Sequence, residues 1–117
     1  MTLPKDAKER KAVPIFSGLL RYFPDACAAV AHCSYLGNEQ HNPGEPLRWA
    51  REKSRDQEDA LVRHLMEAGT VDSDGIRHSA KVAWRALAML QLELEQLQDS
   101  GDDPADGGGR DGSHLGD

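Results

Sequence analysis

The chain has 117 residues, enough for one modest domain, and only 5% of them are aromatic. Residues 99–117 contain six Asp and one Arg, so most of the formal charge of −6 belongs to the C-terminal end and the first 98 residues carry a net −1. A balanced body without a basic stripe argues against nucleic-acid binding, and no apolar run approaches the roughly 20 residues of a membrane span.

The N-terminal part is predicted to contain an arm, a docking segment and a first helix. Residues 1–13 are mildly basic and predict a flexible arm, whereas "PIFSGLLRYFP" holds most of the aromatic residues and is expected to dock on the core. Pro24 and Asp25 suit the first turn of a helix, and Gly37 is typical of a helix end. We therefore predict the first main helix over residues 24–36.

Two cysteines, Cys27 and Cys33, lie six residues apart on this helix. That step turns their side chains about 120° apart around the helix axis, so they are poorly placed to form a disulfide. The N-terminus also lacks the apolar stretch of a secretory signal. Both observations favour a reduced, cytoplasmic protein.

Two further helices are predicted after a loop that contains two prolines and a glycine. Ser54 is a plausible N-cap for a helix over residues 55–67, which Gly69 ends. The turn "TVDSDGIRHS" leads into a third helix over residues 76–98. The third helix has a sustained apolar face formed by Ala83, Ala86, Leu87, Leu90, Leu94 and Leu97.

These patterns predict an all-α fold, because no stretch alternates as a strand does and no repeat is found. The domain is a small bundle of three main helices over residues 14–98. Such a bundle buries little surface, so we expect oligomerisation to complete its core. Residues 99–117 have almost no apolar side chains, which predicts a disordered acidic tail.

The second helix carries charged residues on one face, since Asp59, Arg63 and Glu67 follow each other at four-residue steps. A solvated face with ion pairs is one interpretation. The other is that its carboxylates hold a hard cation such as Mg²⁺.

The turn before the third helix contains Asp72, Asp74 and His78. It either caps the helix or contributes to a site. If the two helices form a hairpin, we expect Glu67 to lie near His78 and His64 about one turn deeper.

A basic cluster lies between the first and second helices: Arg48, Arg51, Lys53 and Arg55. It suits phosphate neutralisation, with an exposed flexible segment as the alternative. Trp49 either stacks on a base or packs against the protein. The sequence lacks the GxxxxGK[ST] and GxGxxG phosphate loops, any His-Asp dipeptide and GxSxG, which argues against several common hydrolase classes.

Two stretches, "YFPDACAAVAHCSYLGNEQHN" and "RHLMEAGTVDSDGIRHSAKVAWRALAML", resemble the small phage-type dATP/dGTP diphosphohydrolases, relatives of the MazG-like all-α nucleoside triphosphate pyrophosphohydrolases. The resemblance covers about residues 14–95. The matching features are the segment from Gly37 to Asn42, Trp49, the triplet Arg63-His64-Leu65, Gly69, Asp72, Gly75, His78 and the step Ala83-Trp84.

The resemblance implies a helical catalytic domain that forms a dimer or tetramer in the cytoplasm of a bacterium or a phage-infected host. Such enzymes use Mg²⁺ or Mn²⁺ to cut a purine deoxynucleoside triphosphate into its monophosphate and pyrophosphate. Carboxylates hold the metals, and water is the nucleophile. For such a reaction the chemistry of the residues themselves supplies the candidates. The catalytic candidates are His64, His78 and Arg63; the substrate-binding candidates are Arg51, Lys53, Trp49 and Asn42; and the metal-binding candidates are Glu39, Asp59, Glu67 and Asp72.

The sequence departs from the wider superfamily at the metal-binding motifs. That superfamily has ExxE on one helix and ExxD on the next, and this chain has neither. Its nearest approach is Asp56-x-x-Asp59, and the third helix has His78 and Lys81 where acids are expected. The motif therefore does not transfer the ligands. A non-catalytic helical dimer, for interaction or for nucleotide sensing, remains the alternative function.

Overall fold

The computed structural model describes residues 3–53 and 55–99 of the chain. A short helix and a π-helical turn precede three longer helices, which are joined by loops and one 3₁₀ turn. In chain order the elements are α1 (Ala7–Lys11), the π-helical turn (Phe16–Leu20), α2 (Pro24–His41), the 3₁₀ turn (Arg51–Lys53), α3 (Gln57–Met66) and α4 (His78–Asp99). The described residues form no strand, so the predicted all-α fold with three main helices is confirmed.

The predicted end of the first helix is wrong, because α2 continues past Gly37 to His41. Glycine inside a helix costs only about 1 kcal/mol relative to alanine, which packing against α4 offsets. The helix ends where Pro43 follows Asn42, whose N–H still bonds to the carbonyl of Asn38. Helices α3 and α4 begin two residues later than predicted. The proposed N-cap Ser54 and residues 100–117 of the predicted tail lie outside the described residues.

The predicted docking of "PIFSGLLRYFP" on the core is also wrong for the single chain. Phe16 is 65% exposed and Tyr22 is 70% exposed, and Ile15, Leu19, Leu20 and Phe23 are exposed as well. Helix α4 packs against α3 and α2 instead. Part of the predicted flexible arm is helical, since the side chain of Asp6 caps α1.

The core lies between α4 and its two neighbours, and it is small. The buried apolar residues of the described chain are Ala60, Ile76 and Ala88, and no large side chain among them is fully buried. The structure thus has the thin core that the sequence indicated, and completion of this core by a second copy stays a prediction. Within the described part of the chain, no helix combines the length and apolarity needed to cross a membrane.

Candidate functional site

The turn between α3 and α4 positions the candidate site. Gly69 and Gly75 adopt positive φ angles of 94° and 85°, which are strained for residues with a Cβ. The turn is held by backbone hydrogen bonds from Asp72 N–H to the Ile76 carbonyl (2.9 Å) and from His78 N–H to the Thr70 carbonyl (3.1 Å). It therefore places the first residue of α4 beside the last turn of α3.

Two histidines meet at this junction, whereas the sequence predicts that His64 lies about one turn deeper than His78. The Nδ1 atoms of His64 and His78 lie 2.9 Å apart, and their ring centroids are 5.1 Å apart. One ring must donate and the other accept, so the two rings differ in which nitrogen carries the proton. Burial, followed by the positive charge of Lys81, lowers the pKa of His64.

Two of the predicted metal-binding carboxylates lie beside the histidine pair. Oε1 of Glu67 is 3.4 Å from Nε2 of His78, and Oδ1 of Asp72 is 3.9 Å from the same nitrogen. His64, Asp72 and His78 each offer one potential ligand atom, and these three atoms lie within 4.8 Å of one another. We call these three residues the His–His–Asp cluster.

Lys81 holds the acidic turn in place, a role that the sequence did not reveal. Its Nζ lies 2.7 Å from Oδ2 of Asp72 and 2.7 Å from Oδ2 of Asp74, and Gln40 donates to that same oxygen of Asp74 over 3.3 Å. Burial lowers the pKa of Lys81, but the hydrogen bonds and negative charges of Asp72 and Asp74 have the larger combined effect, so the pKa is raised. The hydrogen bonds from Lys81 and from the Ser73 N–H lower the pKa of Asp72 to about 2.

Replacing this lysine (Lys81→Gln) should reduce the dependence of stability on acid pH. Asp72 has a folded-state pKa of about 2, below its ordinary value of 3.8, so its contribution is present above pH 3.8 and is lost as the pH falls toward 2. Without the ammonium group of Lys81, the pKa of Asp72 rises toward its ordinary value. We expect the melting temperature of the variant to fall less steeply than that of the wild type between pH 5 and pH 2, as circular dichroism would show.

The matched control is Lys8→Gln, which removes the same charge from the exposed helix α1. Its profile should be parallel to that of the wild type. An equally steep acid profile for the Lys81 variant would show that the ion pairs do not stabilise the turn.

A cleft of about 810 Å³ opens between α2, the following loop, α3 and α4, and we call it the α2–α4 cleft. It contains four residues predicted from the sequence: Asn42, Trp49, Arg63 and His64. Asp74, Lys81 and Arg85 line it too, so the His–His–Asp cluster borders the cleft through His64. Arg85, which the sequence did not single out, donates to Gln57 (3.1 Å) and lies 5.8 Å from the centre of the Trp84 ring.

The aromatic wall of the cleft is held by packing and one hydrogen bond. The rings of Trp49 and Trp84 meet edge to face with centroids 5.7 Å apart, and the indole N–H of Trp84 donates to Oγ of Ser34 over 2.6 Å. Arg51 stacks on Trp49 at 4.2 Å and pairs with Glu95. The structure thus shows packing for Trp49 and places Arg51 at a separate cavity of about 300 Å³ beside α4.

The other predicted site residues are not brought to the cleft by the described chain. Glu39 and Asp59 are exposed and do not line it, and the side chain of Lys53 lies outside the described residues. Arg63 lines the cleft and pairs with Asp56 at 3.3 Å. Because the four predicted carboxylates do not converge, they do not form the oxygen-only site that Mg²⁺ prefers.

Residues 4–102 match the family model described as dATP/dGTP diphosphohydrolase, N-terminal. The chain belongs to this family. The match spans every helix described above and all residues of the α2–α4 cleft, and it confirms the family that the sequence resembles. No curated protein and no solved structure matches the chain.

Proposed function

We propose that the protein hydrolyses a purine deoxynucleoside triphosphate, dATP or dGTP, in the α2–α4 cleft. Water would attack the α-phosphorus, the bond from that phosphorus to the bridging oxygen would break, and pyrophosphate would leave with the bridging oxygen. The observation that carries the proposal is that His64, Lys81, Arg63 and Arg85 line one cleft in a chain of this family. Catalysis by this matched domain alone is part of the proposal.

The size and charge of the cleft support a nucleotide as ligand. Its volume of about 810 Å³ lies within the range of pockets that hold small molecules. Phosphoryl chemistry depends mainly on positioning and on cationic groups that stabilise the phosphate oxygens. Arg63, Lys81 and Arg85 would supply those charges, while Trp49 and Asn42 lie where the loop after α2 borders the cleft.

A divalent cation, Mg²⁺ or Mn²⁺, and a homo-oligomeric assembly are further parts of the proposal. The thin core and the exposed apolar side chains of residues 15–23 support the assembly. The His–His–Asp cluster supports a cation requirement, because imidazole nitrogens and carboxylate oxygens can act as metal ligands.

The reaction is tested with the purified, untagged chain and each of the four deoxynucleoside triphosphates, with Mg²⁺ or with Mn²⁺. Ion-exchange chromatography separates monophosphate, diphosphate, phosphate and pyrophosphate. We expect monophosphate and pyrophosphate in equal amounts, formed faster from dATP and dGTP. Diphosphate plus inorganic phosphate would place the attack at the γ-phosphorus instead, and no product from any nucleotide would refute the proposal.

A nucleotide-sensing protein without catalysis is the second candidate, and one observation favours it. Lys81 forms ion pairs with Asp72 and Asp74, so one of the two negative charges next to the histidines is already compensated. Under this alternative, dATP or dGTP would raise the melting temperature by binding the folded state, with no product formed. Turnover in the chromatographic assay would exclude it.

A further inference from the structure

We propose that the His–His–Asp cluster binds one first-row transition-metal dication, of the series from Mn²⁺ to Zn²⁺, in preference to Mg²⁺. The ion's role in hydrolysis rests on the proposed function, but binding of the ion requires no nucleotide. Of the two ions that the sequence resemblance implies, the cluster would prefer Mn²⁺ to Mg²⁺. Three independent features of the structure support it.

The first feature is the chemistry of the donors that converge. Two imidazole rings and one carboxylate supply two nitrogen ligands and one oxygen ligand within 4.8 Å. Imidazole suits zinc, copper, iron and nickel, whereas Mg²⁺ takes oxygen ligands and retains several waters. Three protein ligands also leave coordination positions for water or for phosphate oxygens.

The second feature is the distance between the two imidazole nitrogens. Two nitrogens that are each about 2.1 Å from one ion lie about 3.0 Å apart at the right angle of octahedral coordination and about 3.4 Å apart at a tetrahedral angle. The Nδ1 atoms of His64 and His78 are 2.9 Å apart. The same distance suits a hydrogen bond, so a cation would replace the proton between the two nitrogens, and the rings would turn so that both lone pairs point at the ion.

The third feature is the set of groups that surround the cluster. A histidine that binds a metal usually donates its other ring N–H to a carboxylate, which selects the tautomer. His78 directs Nδ1 toward His64, while its Nε2 faces Oε1 of Glu67 at 3.4 Å and Oδ1 of Asp72 at 3.9 Å. Glu67 is therefore a positioning residue in this arrangement rather than a ligand.

The remaining ligand is held by its own neighbours. Lys81 and the N–H of Ser73 contact the two oxygens of Asp72, each at 2.7 Å. A carboxylate accepts about four hydrogen bonds or metal contacts, so both oxygens keep a free position. Asp72 is thereby oriented in advance, as the ligands of protein metal sites commonly are.

The test measures metal binding without nucleotide on the metal-free, untagged full chain, since a polyhistidine tag would bind the same ions. Calorimetric titration with Co²⁺, Zn²⁺, Mn²⁺ and Mg²⁺ gives affinity and stoichiometry, and the visible spectrum of Co²⁺ reports its ligands. We expect one Co²⁺ per chain with new visible bands, tighter binding of Zn²⁺ than of Mn²⁺, and no saturable Mg²⁺ binding under the same conditions.

Three substitutions locate the site. His64→Ala and Asp72→Asn should each weaken Co²⁺ binding by at least about a hundredfold, and Glu67→Gln by about 10- to 100-fold. His32→Ala is the matched control, because His32 is an exposed histidine on α2 outside the cluster. If His64→Ala fails to fold, Asp72→Asn decides the question.

Each outcome either supports or overturns the proposal. Mg²⁺ binding as tight as Co²⁺ binding, unchanged affinity in the cluster variants, or an equal loss in His32→Ala would overturn it. Metal binding without pyrophosphate release would support this site and refute the proposed function. Pyrophosphate release with Mg²⁺ alone, without Co²⁺ binding, would refute this site and support the proposed function.

Discussion

Replacing His78 with alanine (His78→Ala) is expected to reduce the rate of pyrophosphate release from dATP or dGTP by at least about a hundredfold. His78 is 5% exposed and stands within 4 Å of three groups of the site: His64, Glu67 and Asp72. Its removal would leave those groups without their shared partner. The rate is measured by separating pyrophosphate from phosphate at saturating nucleotide.

Burial of His78 makes a second variant necessary, because an alanine at a buried position also lowers stability. His64 is only half-buried, and His64→Asn should lose a similar factor while its circular dichroism spectrum stays that of the wild type. Asp59→Asn is the control, since Asp59 is exposed on the same helix and lies outside the cleft. Wild-type rates in both folded histidine variants would show that the reaction occurs elsewhere.

The largest loss of stability is expected for Trp84→Ala, which should lower the free energy of unfolding by about 3 kcal/mol. The ring of Trp84 packs edge to face on Trp49, and its indole N–H donates to Ser34, so one substitution separates α4 from both α2 and the following loop. Because the core of the described chain contains only three buried apolar residues, little other packing would remain to offset the loss. Urea unfolding followed by circular dichroism measures the change.

Two further variants separate the ring packing from the hydrogen bond. Trp84→Phe keeps an aromatic ring but loses the N–H, which should cost about 1 kcal/mol in addition to the smaller ring contact. Tyr22→Ala removes a large aromatic side chain that is 70% exposed, and in a monomer it should change stability by less than about 0.5 kcal/mol. Equal effects of Trp84→Ala and Tyr22→Ala would contradict the packing described for Trp84.

Several features of this protein follow from the sequence alone, because local patterns carry them. The apolar periodicity of residues 83–97 predicts α4, and the absence of alternating stretches predicts an all-α fold. The short Asp- and Gly-rich turn obliges the end of α3 to meet the start of α4, which brings Glu67 to His78. Family membership was likewise visible in the order of the matching residues.

Other features were decided by the tertiary structure. Gly37 predicts a helix end, yet packing of α2 on α4 keeps it helical. Four acids suggest a metal site, but Glu39 and Asp59 face solvent. The helix interfaces fix the rotation of each helix about its axis, and this rotation determines which residues point toward the neighbouring helices. The same rotation brings Lys81 to Asp72 and Trp84 to Ser34. Sequence periodicity defines the faces of a helix, whereas the meeting of side chains from different helices depends on how those faces pack. For this reason only the structure identified the two imidazoles and the one carboxylate that meet.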